Sequence, residues 1–339
     1  MLKSFKSDNT APACEAVLTA LVDANRGACA AYGDDSWTAK LDAAFSRFFE
    51  TEVRVFPVST GTAANSIALA TLAPPYGAIY CHREAHIFRD EAGAPEFMTG
   101  GARLMLLDGA DGRLSAASLA AALDDHPASV HTPEPAVVSI SQATECGTSY
   151  RREQLLAISE LAHSRGLAVH MDGARFANSL VFLGGSPADV TWRAGVDVLS
   201  FGATKNGALA AEAVVFFDLA RVRDFERRRK RAGHLLSKMR FVSAQLLAYL
   251  HEAVWRRNAE HANSLAAQIA TSVPERLIYP VEANEVFLHL SASEARRLRA
   301  AGFAFYDWGP ADGGAVRLVV SWDQSEDDVA SLRGALQSL

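Results

Sequence analysis

One lysine lies in a turn of small residues directly after a strand-like apolar run, where no bulky neighbouring side chain covers it. Lys205 occurs in FGATKNG, after the run VDVLS. A lysine that is shielded from water near other cations can attack an aldehyde. Taken alone, a lysine is far more often an exposed surface residue. The chemical interpretation therefore depends on which other groups share the site.

Three further motifs follow strand-like runs and supply groups of other kinds. Asp172 follows LAVHM, and a carboxylate at the end of a buried strand can hold a proton on the nitrogen of a flat heterocycle. Thr60, Gly61 and Thr62 open a helix, whose free backbone N–H groups suit a phosphate. His86 follows GAIYC and offers an imidazole that can stack on a ring. Each alone is more often structural, as a solvated loop aspartate, a capped turn or a hydrogen-bonded loop histidine.

Together the four motifs match the requirements of one cofactor. A phosphate-binding turn, a partner for a ring nitrogen, an aldehyde-capturing lysine and a stacking imidazole are the groups that pyridoxal 5′-phosphate needs. In parallel sheets the reactive residues collect just past the carboxyl ends of the strands, where all four motifs are expected. We therefore predict a pyridoxal phosphate site and no metal site.

The elements that must position these residues alternate along the chain. Strand-like runs such as VRVFPVS, AVVSIS, LAVHMD and EAVVFF alternate with helical runs such as RREQLLAISELAHSRG. This order predicts an α/β fold with a mainly parallel sheet covered on both faces. We expect a large α/β domain over residues 1–240, including the N-terminal segment, and a smaller α+β domain over residues 241–339.

Composition argues against several classes of partner. The chain has 339 residues, 49% of them hydrophobic, and a formal net charge of −6. An acidic chain does not attract nucleic acid or an anionic membrane, and no apolar run approaches the roughly 18 residues of a membrane span. The start, MLKSFKSDNTAPACEAV, lacks the apolar core of a signal peptide. We expect a cytoplasmic protein whose partners are a small molecule and copies of itself.

Eight segments spread over nearly the whole chain carry a family resemblance: SDN at 7–9, AYGDD at 31–35, GTAANS at 61–66, AHIFRDEAGAPEF at 85–97, QATECGT at 142–148, HMDGARF at 170–176, FGATKNG at 201–207 and VRLVVSWD at 316–323. In combination they resemble the L-threonine aldolases of the fold type I pyridoxal phosphate enzymes, particularly the bacterial low-specificity and phenylserine aldolase branch. The resemblance implies an aldehyde-lyase that cleaves L-threonine and related β-hydroxy-α-amino acids, such as phenylserine, to glycine and an aldehyde. It also implies a homo-oligomer, either a dimer or a homotetramer.

The resemblance implies cofactor roles for individual residues. Lys205 resembles the lysine that binds the cofactor aldehyde, Asp172 the partner of the pyridine nitrogen, and His86 the imidazole stacked on the ring. Gly61 and Thr62 resemble the phosphate binders. These roles agree with those inferred from the residue types alone.

A second set of positions matches substrate-binding residues of the family. Ser7, Arg175 and Arg317 match positions that hold the substrate carboxylate, and Arg175 is also expected to line the cofactor site. Two-point binding of a carboxylate suits a guanidinium group. His131 matches a position that contacts the β-hydroxyl of the substrate.

The base that takes the proton of the β-hydroxyl stays open at the level of sequence. His86, His131 and a water held near Glu91 are the candidates. The chain also departs from many relatives at Asn9, where threonine is common, and near Glu145, where a histidine is common. Both departures bear on the range of substrates.

Two rival functions also stay open. A fold type I enzyme that performs β-elimination or transamination would use the same Lys205 and Asp172, but it would release ammonia and a keto acid. A cofactor-fold protein without catalysis would serve as a binding or regulatory subunit. The presence of Lys205, Asp172, Arg175 and Arg317 together argues against the second rival.

Overall fold

Twelve strands and thirteen α-helices occur in residues 3–309 and 314–339, the part of the chain that this computed structural model describes. The strands are β1 (Lys3–Ser4), β2 (Arg54–Val58), β3 (Gly77–His82), β4 (Arg103–Leu107), β5 (Glu134–Ser141), β6 (Ala168–Gly173), β7 (Val198–Gly202), β8 (Glu212–Phe216), β9 (Glu285–His289), β10 (Phe303–Ala304), β11 (Tyr306–Asp307) and β12 (Ala315–Val319). The helices are α1 (Glu15–Ala24), α2 (Leu41–Phe49), α3 (Gly61–Leu72), α4 (His86–Arg89), α5 (Ala94–Thr99), α6 (Ala116–Asp124), α7 (Arg152–Ser164), α8 (Phe176–Leu183), α9 (Phe225–Arg231), α10 (Arg240–Leu250), α11 (Val254–Ser272), α12 (Ala292–Ala300) and α13 (Glu326–Gln337).

The largest sheet has seven strands in the order β2-β8-β7-β6-β5-β3-β4. The strands from β7 to β4 run parallel to one another, whereas β8 pairs antiparallel with both β2 and β7. Every residue of β3, β6, β7 and β8 is buried, because helices cover both faces of the sheet. Consecutive side chains of β2 accordingly enter different core clusters, Val55 on one face and Phe56 on the other. The predicted α/β fold is confirmed.

A smaller unit contains the antiparallel sheet β11-β12-β9 and helices α12 and α13. The N-terminal segment belongs to this unit, because β1 pairs with β10 and Phe5 lies in the same core cluster. Helix α11 crosses between the two cores: Trp255 and Ala259 pack in the large one, Leu265 and Ile269 in the small one. The buried side chains of α11 thus change from the large core to the small one along the helix, and the domain bounds expected from the sequence, 1–240 and 241–339, stay a prediction.

The carboxyl ends of the parallel strands form one edge, at which the predicted site residues collect. In the sheet register, Ser141 of β5 lies beside Asp172 of β6, which lies beside Ser200 of β7. The end of β7 lies very close to the loop after β6 at this edge, because a Cβ on Gly202 would lie 2.7 Å from the backbone of Ala174. Only glycine permits this approach, which brings the loops after β6 and β7 together. No helix in the described residues is long and apolar enough to cross a membrane.

Candidate active site

Lys205 lies in a short helical turn that follows β7, and hydrogen bonds of the next residue, Asn206, hold this turn in place. The side chain of Asn206 donates hydrogen bonds to the Tyr249 hydroxyl at 2.7 Å and to the Trp255 carbonyl at 2.8 Å. Asn258 in turn donates to the backbone carbonyl of Asn206 at 2.9 Å. These bonds tie the turn to α10 and α11, and the Lys205 side chain lines a cavity of about 270 Å³.

This cavity, called the inner cavity below, brings together all the residues predicted to bind the cofactor. They are Gly61, Thr62, His86, Asp172, Arg175 and Lys205. They come from four separate stretches of sequence and meet at the carboxyl edge of the sheet. The structure therefore brings these residues together, and the role expected of each stays a prediction.

One end of the inner cavity is the amino terminus of α3. The Thr60 hydroxyl caps this helix by accepting a hydrogen bond from the Ala63 N–H at 3.2 Å. The N–H groups of Gly61 and Thr62, in the first turn, have no partner within the helix. Apart from its chain neighbours and the backbone of its own helix, no atom of the described residues lies within 4 Å of the position that a Cβ on Gly61 would take, so a ligand can approach the backbone closely. The positive end of the helix and these N–H groups suit a phosphate.

A chain of four buried or half-buried polar side chains forms the other side of the inner cavity. His86 Nδ1 lies 2.9 Å from Glu91 Oε1, and the Asn65 amide nitrogen donates to Glu91 Oε1 and to Asp172 Oδ2, at 2.8 Å each. Asp172 Oδ1 accepts a hydrogen bond from the backbone N–H of Ala174 at 2.9 Å. The ligand atoms of His86, Glu91 and Asp172 lie within 4.8 Å of one another, a spacing that a cation could bridge. Here the Asn65 amide already joins the two carboxylates.

The hydrogen bond that His86 donates to Glu91 raises the pKa of His86 above its usual value, and the charge of Asp172 adds to this, although burial of the imidazole opposes it. Asn65 and Glu91 fix the position of this imidazole and of the Asp172 carboxylate. Asn65 was not singled out from the sequence, although it lies one helical turn after Thr62 in GTAANS.

A second, larger cavity of about 800 Å³ adjoins the first and is called the outer cavity below. Asn9, His86, Glu145, Arg175 and Lys205 line both cavities. The outer cavity also contains the remaining predicted carboxylate binders, Ser7 and Arg317, and the aromatic side chains of Tyr279, Tyr306 and Trp308.

The two predicted arginines have different surroundings. Arg175 forms a two-point ion pair with Asp8, at 2.7 and 3.0 Å, and its third nitrogen lies 3.3 Å from Glu285. Burial raises the pKa of Asp8, but the charges of Arg175 and Lys205 and the hydrogen bonds from Arg175 and Asn284 together outweigh burial and hold that pKa below its usual value. Arg317 has a looser contact with Glu285, at 3.9 Å, and lies over the ring of Trp308. Arg317 therefore has more donors free for a ligand than Arg175.

His131 does not reach either cavity. It lies in an exposed turn before the first residue of β5, and the site lies beyond the last residue of that strand. The strand has eight residues, which corresponds to roughly 25 Å. The predicted contact between His131 and the substrate hydroxyl is therefore corrected: this histidine is at the opposite edge of the sheet.

Three buried or half-buried acids near the cavities were not assigned roles from the sequence. Burial raises the pKa of Glu145 and of Glu212 to about 7 each, and it raises the pKa of Glu285 as well. Glu212 and Glu285 are the first residues of β8 and β9. A carboxylate at the head of an apolar strand run, as in EAVVFF and NEVFLHLS, is the signal that could have identified them.

Comparison with known proteins identifies the family. The sequence profile of the beta-eliminating lyases matches residues 4–293. The chain belongs to the beta-eliminating lyase family. Its nearly full-length relatives place it with the low-specificity L-threonine aldolases in this family. The enzyme of that name from Pseudomonas aeruginosa is 46% identical, with 97% of this chain and 96% of the relative covered. The one from Pseudomonas sp. is 43% identical, with 99% and 98% covered.

Solved structures of the same fold agree with the family match. A threonine aldolase from Leishmania major is 27% identical and has a TM-score of 0.93, with 99% of this chain and 98% of the other covered. An aspartate aminotransferase from Rhodobacter sphaeroides is 16% identical and has a TM-score of 0.73, with 100% of this chain and 93% of the other covered. At this identity the similarity shows the shared fold and nothing about function. The predictions of a lyase, of the fold type I architecture and of pyridoxal 5′-phosphate as cofactor are confirmed.

Proposed function

We propose that this beta-eliminating lyase family member cleaves L-threonine and related β-hydroxy-α-amino acids to glycine and an aldehyde. The observation that carries the proposal is the junction of two cavities: the inner one holds Lys205, Asp172 and the amino terminus of α3, and the outer one holds Arg317. The first set fits the cofactor and the second fits the carboxylate of an amino acid. The Pseudomonas relatives support the same activity.

The residues of the inner cavity fit pyridoxal phosphate by their chemistry. Lys205 provides the amine that binds the aldehyde, the Asp172 carboxylate keeps a proton on the ring nitrogen, and the N–H groups of Gly61 and Thr62 bind the phosphate. When bound, pyridoxal phosphate supplies the electron sink for the pair left by Cα–Cβ cleavage. His86 lines the same cavity and covers the ring.

The outer cavity orients the amino acid. Arg317 and Ser7 bind its carboxylate in this proposal, and Arg175 adds positive charge while it stays paired with Asp8. A fixed carboxylate sets the rotation about the bond to the amino group, and so decides which bond at the α-carbon is cleaved. Glu285 is buried and contacts both arginines, at 3.3 and 3.9 Å, and its negative charge offsets the repulsion between them.

The outer cavity also determines which substrate side chains fit. Its volume of about 800 Å³ and the aromatic rings of Tyr279, Tyr306 and Trp308 can accept a phenyl group. Phe287 packs against Tyr279 and Trp308 and supports them from below, with ring centroids 5.3 and 4.9 Å apart. We therefore include phenylserine among the proposed substrates.

Self-association is the second part of the proposal. Helix α1 exposes Leu18 and Val22 one turn apart, with 46% and 63% of their surface accessible. An exposed apolar pair of this kind fits contact with another copy of the chain, and we propose a homo-oligomer, with a homotetramer as the expected form. The mass in solution tests this, and Leu18→Glu with Val22→Glu should reduce it. The cytoplasmic location expected from the sequence stays a prediction.

A product assay tests the proposed activity. The cofactor-loaded enzyme is incubated with L-threonine or phenylserine, and the aldehyde is measured through a coupled reductase while glycine is quantified. We expect glycine and aldehyde in equal amounts. Ammonia with a keto acid would instead support the β-elimination rival, and the absence of any product would support a binding protein.

A further inference from the structure

The reacting bond has to lie where the two cavities meet. Under the proposed function, on which this inference rests, the cofactor occupies the inner cavity and the substrate carboxylate the outer one. The β-hydroxyl of the substrate is then near the residues that line both cavities. These are Asn9, His86, Glu145, Arg175 and Lys205.

Four of these five residues are poor candidates for the base that takes the hydroxyl proton. Lys205 binds the cofactor, the Asn9 amide does not accept a proton, and the Arg175 guanidinium stays protonated. His86 is engaged through Nδ1 by Glu91, which favours its protonated form. Among the described residues at the junction, Glu145 is the remaining titratable side chain.

The two oxygens of the Glu145 carboxylate have different surroundings. Oε1 accepts hydrogen bonds from the backbone N–H of His86 at 2.7 Å and from the Ser141 hydroxyl at 2.8 Å. The residue as a whole is half-buried, yet Oε2 is buried and has no hydrogen-bond partner among the residues that the structure describes. A buried carboxylate oxygen without a partner is costly unless a ligand group meets it.

We propose that Glu145 is the catalytic base that removes the proton of the substrate's β-hydroxyl. The O–H bond breaks and the proton passes to Oε2. The electron pair of that bond forms the second carbon–oxygen bond of the aldehyde, while the Cα–Cβ bond breaks. Its electron pair is left at the α-carbon, which takes up a proton to give glycine. Oε2 releases the proton that it received, so each turnover removes one proton from the hydroxyl and adds one at the α-carbon.

The surroundings of Glu145 suit this role. Burial raises its pKa to about 7, the charge of Asp172 adds to this, and the hydrogen bonds from His86 and Ser141 oppose it. A base works best when its pKa is close to the operating pH. The titratable and charged groups that face it are Asp172 and Arg175 from β6 and the turn after it, His86 from α4, Cys81 from β3, and Cys146 and Tyr150 from its own loop.

The first test substitutes Glu145→Gln, whose amide oxygen can keep both hydrogen bonds to Oε1. We expect kcat for L-threonine to fall by at least about 100-fold, and the acid limb of the wild-type pH profile near pH 7 to disappear. Glycine lacks a β-hydroxyl, so its dissociation constant, followed by cofactor absorbance, should stay unchanged. Glu145→Asp should recover part of the rate, and Glu160→Gln, which alters an exposed acid of α7, should match the wild type.

The second readout needs no cofactor and no turnover. Infrared spectra of the cofactor-free protein should contain a protonated carboxyl band that is lost as the pH rises through about 7, and part of this band should be missing in Glu145→Gln. Glu212→Gln serves as the comparison, because burial raises its pKa to the same range.

Three results would overturn the assignment. Cleavage by Glu145→Gln at the wild-type rate, or an unchanged acid limb, would show that another group takes the proton while the proposed function stands. Loss of glycine binding in parallel with cleavage would show a structural role. If the wild type itself forms no aldehyde, the proposed function fails and the assignment fails with it.

Discussion

Asp8 and Arg175 form a two-point ion pair between the N-terminal segment and the end of β6, with distances of 2.7 and 3.0 Å. Asp8 is buried and Arg175 is half-buried, and the two residues lie 167 positions apart in sequence. It connects the small unit to the carboxyl edge of the large sheet, where Lys205 lies. Arg175 thus stabilises the site through carboxylates of the chain itself, and in the proposed function Arg317 is the main cation for the substrate.

The two arginines should therefore respond differently to substitution. Arg317→Ala should keep the fold and the cofactor affinity, but should raise KM for L-threonine by a factor that corresponds to roughly 2–5 kcal/mol. Arg175→Ala leaves Asp8 and Glu285 buried without their cation and should lower the free energy of unfolding by roughly 3–5 kcal/mol. Denaturant unfolding, cofactor titration and KM measure these effects. Equal loss of cofactor in Arg317→Ala would contradict its assignment to the substrate.

Glu91→Gln should lower the pKa of His86, because the hydrogen bond with Glu91 is the main cause of its elevation. A histidine whose pKa is raised by folding contributes its full stabilisation when the pH is below the usual pKa of 6.5. This stabilisation is lost as the pH rises through the raised pKa of the folded state. Proton NMR titration of the imidazole in the cofactor-free protein measures the change, with His86→Asn used to assign the signal. An unchanged midpoint would mean that Glu91 does not control His86.

Glu212→Gln should stabilise the cofactor-free protein at pH 8 and have little effect near pH 4.5. Burial raises the pKa of Glu212 from 4.5 to about 7, while hydrogen bonds with Thr204 oppose it. The cost of the buried charge is present above pH 7 and is relieved as the pH falls towards 4.5. The difference between these values corresponds to at most roughly 3 kcal/mol. Unfolding curves at the two pH values test this, and an equal gain at both would contradict the ionisation account.

His131→Phe should leave kcat/KM unchanged for both β-diastereomers of threonine. The residue is exposed and lies before β5, at the edge of the sheet opposite the cavities. Steady-state kinetics with each diastereomer provide the measurement. A changed ratio between the two would show that His131 reaches an active site, which in this geometry would have to be that of another copy of the chain.

Much of the cofactor site could be predicted from sequence because its residues follow a local rule. Lys205, Asp172, Thr62 and His86 each come just after a strand-like run, and parallel strands gather such positions at one edge. The alternation of strand and helix patterns predicted the sheet for the same reason. Neither step required knowledge of contacts between distant segments.

The polar partners of these residues could not be predicted, because their contacts depend on packing between units. Asp8 reaches Arg175 only because β1 pairs with β10, a contact of two residues that leaves no periodic pattern. Glu285 enters the site from the small unit through β9. His131 was misplaced because its assignment came from a sequence match alone, without a strand end to locate it.

The proposed function requires that Lys205 holds pyridoxal phosphate in the inner cavity. Borohydride reduction of the cofactor-loaded enzyme, followed by peptide mass mapping, tests it most directly. We predict a pyridoxyl group on the peptide that contains Lys205, with Lys205→Ala losing the label, the absorbance of the lysine-bound cofactor and the turnover of L-threonine. A label on any other lysine, or full turnover by Lys205→Ala, would contradict the account.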